Sequence, residues 1–178
     1  MADLRRFIRD VPDFPKKGIV FKDLTPLLLD PDALRAAIEA MASRVNRPEA
    51  VVAIESRGFV FGTALALRWG VPLVPARKFG KLPGDTVRQV YSLEYGEDTL
   101  ELHRDSLRKG QRVVVVDDLL ATGGTAAATV ALVEQLDARV EACLFLIELK
   151  GLGGRERLRG RRVEAVLVFE TVEESVGE

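Results

Sequence analysis

A single cysteine, Cys143, rules out an internal disulfide framework, and its apolar setting (ACLFLIEL) reads as a small core residue. The one histidine, His103, has no acidic or metal-binding motif beside it and reads as a surface residue at a strand end. The N-terminus (MADLRRFIRDV) lacks a signal-peptide core, and no apolar run is long enough to cross a membrane, so a soluble cytoplasmic protein is the expectation. Lys+Arg 26 against Asp+Glu 27 leaves a formal charge of −1, which gives no global basic field for a nucleic-acid partner. Internal repeats, low-complexity runs and clear inter-domain linkers are absent. Both common nucleotide-binding fingerprints are missing too: there is no G-x-G-x-x-G, and no lysine precedes Thr125.

What is present centres on residues 113–125, VVVVDDLLATGGT. Four β-branched residues in a row predict a strand buried on both faces. Asp117 and Asp118 sit at its C-terminal end, a glycine-containing loop follows, and a run of helix formers begins at Thr125. Backbone N–H groups at such a junction are unpaired, and the helix dipole adds partial positive charge, so the loop reads as a phosphate cradle. The neighbouring carboxylates suit the hydroxyls of a sugar diol. The stretch therefore asks for a phosphorylated ribose, against the plainer reading of Gly123-Gly124 as an ordinary tight turn.

A second junction of the same kind lies at Glu55-Ser56-Arg57-Gly58, between a strand at 51–54 and a helix ending at Gly70. Two anion sites on neighbouring strand ends imply a ligand with two separate phosphate groups. Elsewhere, Leu4, Phe7, Ile8 and Val11 recur at helical spacing after Asp3 and predict a short helix. Asp30-Pro31 opens another helix, running to about Arg44. Residues 71–76, 140–149 and 163–169 read as strands, 77–84 as a mobile basic loop and 151–160 as a short basic connection. Alternation at 87–95 and 99–103, separated by Gly96-Glu97-Asp98, predicts a hairpin. Strands alternating with helices argue for a single α/β domain over 1–178, a parallel twisted sheet with helices on both faces and ligands beyond the C-terminal strand ends.

VVVVDDLLATGGT resembles the phosphoribosyl pyrophosphate motif of the type I phosphoribosyltransferases. PDFPKKGIVFKDLTPLL, ESRGF, RKFGKLPG, YSLEYG and the IELKGLGGR segment resemble the adenine phosphoribosyltransferases in particular, in that family's order and across almost the whole chain. The resemblance implies the Rossmann-like type I fold with a mobile β-hairpin lid and a base-binding cap from about 1–30 and parts of 145–170. It implies purine salvage: adenine and phosphoribosyl pyrophosphate give AMP and pyrophosphate, with magnesium, in a cytoplasmic homodimer that needs no nucleic acid or membrane.

The implied roles follow residue by residue. Ala121, Thr122, Gly123, Gly124 and Thr125 bind the 5′-phosphate. Asp117 and Asp118 hold the ribose hydroxyls, directly or through magnesium. Arg57 binds pyrophosphate with the backbone around Ser56 and Gly58; the plainer reading pairs Arg57 with Glu55. Lys78 and Lys81 reach the pyrophosphate from the basic loop, with Arg77 assisting and contacts crossing a dimer interface. Phe79 stands where several relatives carry a polar or basic residue. Glu94, in the hairpin with Tyr95, takes or orients the proton of the incoming base.

For the base, Phe21 stacks on one face of adenine and Leu149 closes the other, while backbone groups of Val20 and Lys22 read the Watson–Crick edge. A 6-oxo purine would leave two acceptors facing each other, which is costly when buried. Periodicity alone makes Phe21 and Leu149 core residues; the resemblance makes them ligands. Two alternatives stand beside the adenine enzyme: a hypoxanthine or xanthine phosphoribosyltransferase, which the Phe21 and Leu149 segments oppose, and a non-catalytic phosphoribosyl pyrophosphate sensor, which would not need the lid or Glu94.

Overall fold

The computed structural model describes residues 3–93 and 96–170. Its seven-stranded sheet runs in the order β5-β6-β4-β3-β7-β8-β9. These strands are β3 (Ala50–Ile54), β4 (Leu73–Lys78), β5 (Thr86–Leu93), β6 (Gly96–His103), β7 (Arg112–Leu120), β8 (Arg139–Lys150) and β9 (Val163–Glu170). The pairs β4–β3, β3–β7, β7–β8 and β8–β9 are parallel. The core of the sheet is parallel as expected, and β5 and β6 form the antiparallel hairpin that the alternation at 87–103 predicts; it joins β4 through Arg77↔Glu101 and Lys78↔Leu100. Two tightly connected strands cannot be parallel without a crossover, which explains the change of direction.

The two central strands are buried throughout their apolar stretches, as a run of valines requires. Because successive side chains alternate, Val113 and Val115 join one core while Val114 and Val116 join the other. The first core is covered by α4 (Gly124–Gln135) through Ala126, Val130 and Val133. The second is covered by α2 (Pro31–Ala42), through Ala37 and Met41, and by α3 (Gly58–Trp69), through Phe61 and Leu65. Asp30 caps α2 by accepting from the Asp32 and Ala33 N–H groups, and Gly70, at φ 61°, ends α3. Gly62 lets α3 lie on β3, since a Cβ there would overlap the Cβ of Ala53.

The N-terminal expectation is corrected. Residues 4–11 do not form a helix: Leu4–Phe7 is a 3₁₀ turn, and β1 (Arg9–Pro12) pairs antiparallel with β2 (Val20–Asp23). Eight residues are too few to nucleate a stable helix alone, and cross-strand ion pairs Arg9–Asp23 and Lys22–Asp10 favour the ribbon instead. A further short helix, α1 (Thr25–Leu29), starts at the Thr25-Pro26 pair, and α5 (Gly154–Arg157) lies inside the segment read as a plain connection. Arg77 and Lys78 end a strand rather than opening a loop. Gly96, Glu97 and Asp98, read as the hairpin turn, belong to β6 and face Leu93, Ser92 and Tyr91.

Candidate functional site

Because β4, β3 and β7 are adjacent and parallel, their C-terminal ends bring three sequence segments to one edge of the sheet. The chain leaves β3 in one direction towards β4, and β7 to β9 extend the other way, so the crevice lies where the strand order reverses.

At the end of β7 the chain turns through Ala121, Thr122 and Gly123 into α4. Gly123 caps the helix at φ 76°, a conformation that favours glycine, and the first intrahelical bond is Ala127 N–H to Gly123 C=O at 2.9 Å. The preceding N–H groups have no acceptor within the helix, and a cavity of about 90 Å³ is bounded there by Asp117, Ala121, Thr122, Gly124 and Thr125. The floor of this loop is a part that sequence reasoning missed. A Cβ on Gly123 would stand 2.8 Å from Gly154 O, and one on Gly154 would overlap Ala121 O. The paired glycines before Arg155 were the available signal, because close backbone approach is what glycine permits.

The two acids differ in setting. Asp118 is buried at 4% exposure, whereas Asp117 is half-buried and accepts the Asp118 N–H at 2.8 Å. Arg57 Nε lies 2.8 Å from Asp118 Oδ2, yet that oxygen accepts no aligned hydrogen bond among the described residues. The contact is an ion pair with an acceptor still open. Burial, and then the charge of Asp118, push the Asp117 carboxyl well above the ordinary aspartate range. An anionic pair in this state favours whatever brings hydroxyl donors or positive charge to it. Arg57 pairs here with Asp118, not with Glu55 as the plainer reading had it.

Gly58 explains how the arginine reaches the acids. A Cβ at 58 would stand 2.8 Å from Asp117 Oδ1 and 3.0 Å from Val116 O. Only glycine lets the start of α3 sit against the end of β7. The Glu55–Ser56 peptide that leads into it is cis.

Glu55 instead holds the basic segment. Its carboxylate accepts from Arg77 Nε and Nη2 at 3.2 and 3.1 Å and from Lys78 N–H at 2.9 Å, and the Arg77 bonds hold its pKa below the ordinary range. Lys78 Nζ reaches Asp98 Oδ2 at 3.1 Å, and the Tyr91 hydroxyl donates to the same oxygen at 3.2 Å. Arg77 also donates to the Lys81 carbonyl at 3.2 Å. Beyond it, the buried Glu101 accepts from Gly80 N–H, Thr86 Oγ1 and Arg88 Nε. The Arg88 guanidinium lies 4.7 Å over the ring of Phe79, so that ring is engaged by a cation. A cleft of about 430 Å³ is lined by Ser56, Arg57, Lys78, Tyr91, Asp98, Asp117, Asp118 and Thr125, and it shares Asp117 and Thr125 with the smaller cavity. Tyr91 and Asp98 are site residues that sequence reasoning passed over, because they carried only the hairpin alternation and a turn-like Gly-Glu-Asp.

The N-terminal ribbon reaches the site through Phe21. Arg57 Cζ lies 5.0 Å from the Phe21 ring centroid, and Phe14 meets Phe21 edge-on at 5.2 Å. Lys22 Nζ lies 4.5 Å over Phe169, the residue that pairs with Leu149 in β8–β9. Phe21 is thus brought to Arg57, Leu149 is linked to the ribbon through Phe169 and Lys22, and Val20 is exposed. Glu94 and Tyr95 lie outside the described residues.

Residues 27–170 match the phosphoribosyl transferase domain family. An adenine phosphoribosyltransferase of Carboxydothermus hydrogenoformans is 53% identical over 169 residues, covering 94% of this chain and 99% of that one. One from Anaeromyxobacter is 54% identical over 171 residues, covering 95% and 97%. The crystal structure of an adenine phosphoribosyltransferase from Thermoanaerobacter pseudethanolicus superposes with a TM-score of 0.91 at 49% identity, covering 94% and 98%. The Saccharomyces cerevisiae enzyme, solved with an imino-altritol bisphosphate and adenine, gives 0.88 at 40% identity, covering 93% and 97%. A strand-end cradle, an adjacent acid pair and about half-identity over nearly the full length of these proteins lead to one conclusion: the chain belongs to the adenine phosphoribosyltransferases, pentosyl-transferring enzymes of purine salvage.

Proposed function

We propose that the protein transfers the 5-phosphoribosyl group from phosphoribosyl pyrophosphate to adenine, releasing AMP and pyrophosphate, with the following division of labour. The 5′-phosphate sits in the loop from Ala121 to Thr125, on N–H groups and threonine hydroxyls. Asp117 and Asp118 accept from the ribose hydroxyls, which satisfies the open Asp118 oxygen. Arg57, Lys78 and Lys81, with the backbone at Ser56 and Gly58, take the pyrophosphate. Phe21 stacks on the base, Leu149 closes its other face, and Val20 and Lys22 read its edge through the backbone. At the reacting carbon the C1′–oxygen bond to pyrophosphate breaks and the bond to the adenine nitrogen forms. The electron pair leaves on pyrophosphate, where Arg57 and Lys78 offset its charge, and Glu94 accepts the proton that the base loses, while Tyr95 helps to cover the sugar.

Among the described residues no group of three or more His, Cys, Asp or Glu side chains could hold a metal ion. Two acids beside an anionic substrate suit a cation that keeps water and substrate oxygens, as magnesium does. Asp117 and Asp118 would hold it, and when bound it supplies positive charge to the leaving group. A cytoplasmic homodimer completes the proposal. Light scattering tests the homodimer.

The observation that carries the reading is the adjacency of cradle, acids, Arg57 and Phe21 along one crevice. The test is nucleotide formation from phosphoribosyl pyrophosphate, magnesium and each purine base in turn. Adenine should be turned over fastest. Equal or faster use of hypoxanthine would overturn the base assignment, and ligand binding without turnover of any base would make the chain a sensor.

A further inference from the structure

Three carboxylates face three cations around the cleft: Asp118 with Arg57, Glu55 with Arg77 and Asp98 with Lys78. They are not equivalent. Asp118 is buried, and Glu55 holds Arg77 through both of its oxygens. The Lys78–Asp98 pair is a single contact of 3.1 Å, with the lysine side chain 56% exposed. Asp98 is held without the lysine, because its Oδ1 accepts the Thr99 N–H at 2.8 Å and its Oδ2 accepts the Tyr91 hydroxyl. Lys78 is likewise held at its backbone by Glu55, so its four-carbon arm can swing while its root stays fixed.

We propose that Asp98 is a positioning residue that competes with pyrophosphate for Lys78: it holds the ammonium when pyrophosphate is absent, yields it on binding and reclaims it on release. The proposal rests on the reading of Lys78 as a pyrophosphate ligand. A ligand that must displace an internal partner binds with its affinity reduced by the fraction of protein in which that partner is already free. An exposed ion pair is worth about 0.2–1 kcal/mol, which translates to a reduction of about two- to sixfold. A weak pair is what turnover needs, since a buried bidentate one would exclude the substrate. Burial works against the Asp98 charge, but the Thr99 N–H and Lys78 outweigh it and hold the carboxyl below the ordinary aspartate range. Asp98 therefore stays anionic at neutral pH and competes for the ammonium. Its position is set from the other end of the cleft: its cross-strand partner Tyr91 would touch a Cβ on Gly124 at 3.6 Å, at the edge of the cradle.

Asp98→Asn keeps the shape and an oxygen for the Thr99 N–H while removing the charge. Its inhibition constant for pyrophosphate and its KM for phosphoribosyl pyrophosphate should fall about two- to sixfold, with the KM for adenine unchanged. Asp98→Ala should act in the same direction. Lys78→Met should weaken pyrophosphate binding, and adding Asp98→Asn to it should change nothing further. If both Asp98 variants melt as folded proteins and fail to tighten pyrophosphate while Lys78→Met weakens it, the role of Asp98 is overturned and that of Lys78 stands. If Lys78→Met binds pyrophosphate like the wild type, the Lys78 reading falls and this proposal with it. Tightening that persists without the lysine also overturns it.

Discussion

Replacing Gly58 by alanine isolates the contact between α3 and β7. The added methyl would stand 2.8 Å from Asp117 Oδ1, 3.0 Å from Val116 O and 3.2 Å from Asp117 Cα. Two of those three atoms are backbone, so no side-chain rotation relieves the crowding. Either the end of β7 or the start of α3 must move by a few tenths of an ångström, and the acids move relative to Arg57. Overpacking of this kind costs about 1–3 kcal/mol. Alanine in an uncrowded helix would instead gain about 1 kcal/mol over glycine. The net loss is therefore about 0–2 kcal/mol, and Tm falls by no more than about 8 °C for a chain of this size. The catalytic loss should scale with that shift, because misplacement by 1 Å costs on the order of 100-fold. We expect kcat/KM for phosphoribosyl pyrophosphate to fall by about fourfold on that scale. Gly62→Ala is the control: its methyl would crowd Ala53 and Leu73, so it should lower Tm without the catalytic loss. A Gly58→Ala protein that melts above the wild type and keeps its kcat/KM would refute the argument.

Two further substitutions probe the acids and the base. Asp117 has a raised native pKa, so its ionisation opposes folding, and the penalty grows as pH rises from the ordinary value of 3.8 through the native one. Asp117→Asn should thus melt above the wild type near neutral pH, converge with it in acid and lose affinity for phosphoribosyl pyrophosphate; a lower Tm at neutral pH would sink this account. Phe21→Ala should raise the KM for adenine by about tenfold, since base–aromatic stacking is worth about 1–3 kcal/mol, and an unchanged KM would remove Phe21 from the base site.

The legible parts of the chain were those specified by neighbours in sequence. Four valines, two acids and a threonine–glycine loop placed β7, the cradle and α4, because burial on both faces and a helix start are local patterns. The N-terminal ribbon was not legible: its pairing depends on Arg9 with Asp23 and Lys22 with Asp10, partners that only the fold brings together. Asp98 was read as a turn residue because Gly-Glu-Asp has turn chemistry, whereas the hairpin register places it opposite Tyr91. Gly154 supports the cradle through an approach to Ala121, and the glycine pair before Arg155 that permits it does not name its partner. The support beneath the loop and the rim of the site are built from such long-range contacts, and the strand-to-helix junction itself from local ones.

The buried Cys143 has a practical consequence. Burial pushes its thiol up to about 12, so at neutral pH it is protonated and shielded, and it is the only cysteine in the chain. A maleimide dye or spin label therefore has no native target to avoid. Val90→Cys, at an exposed hairpin position, would take one such probe at one known place, and distances from it to a nucleotide analogue could be followed during turnover without first engineering a thiol-free background.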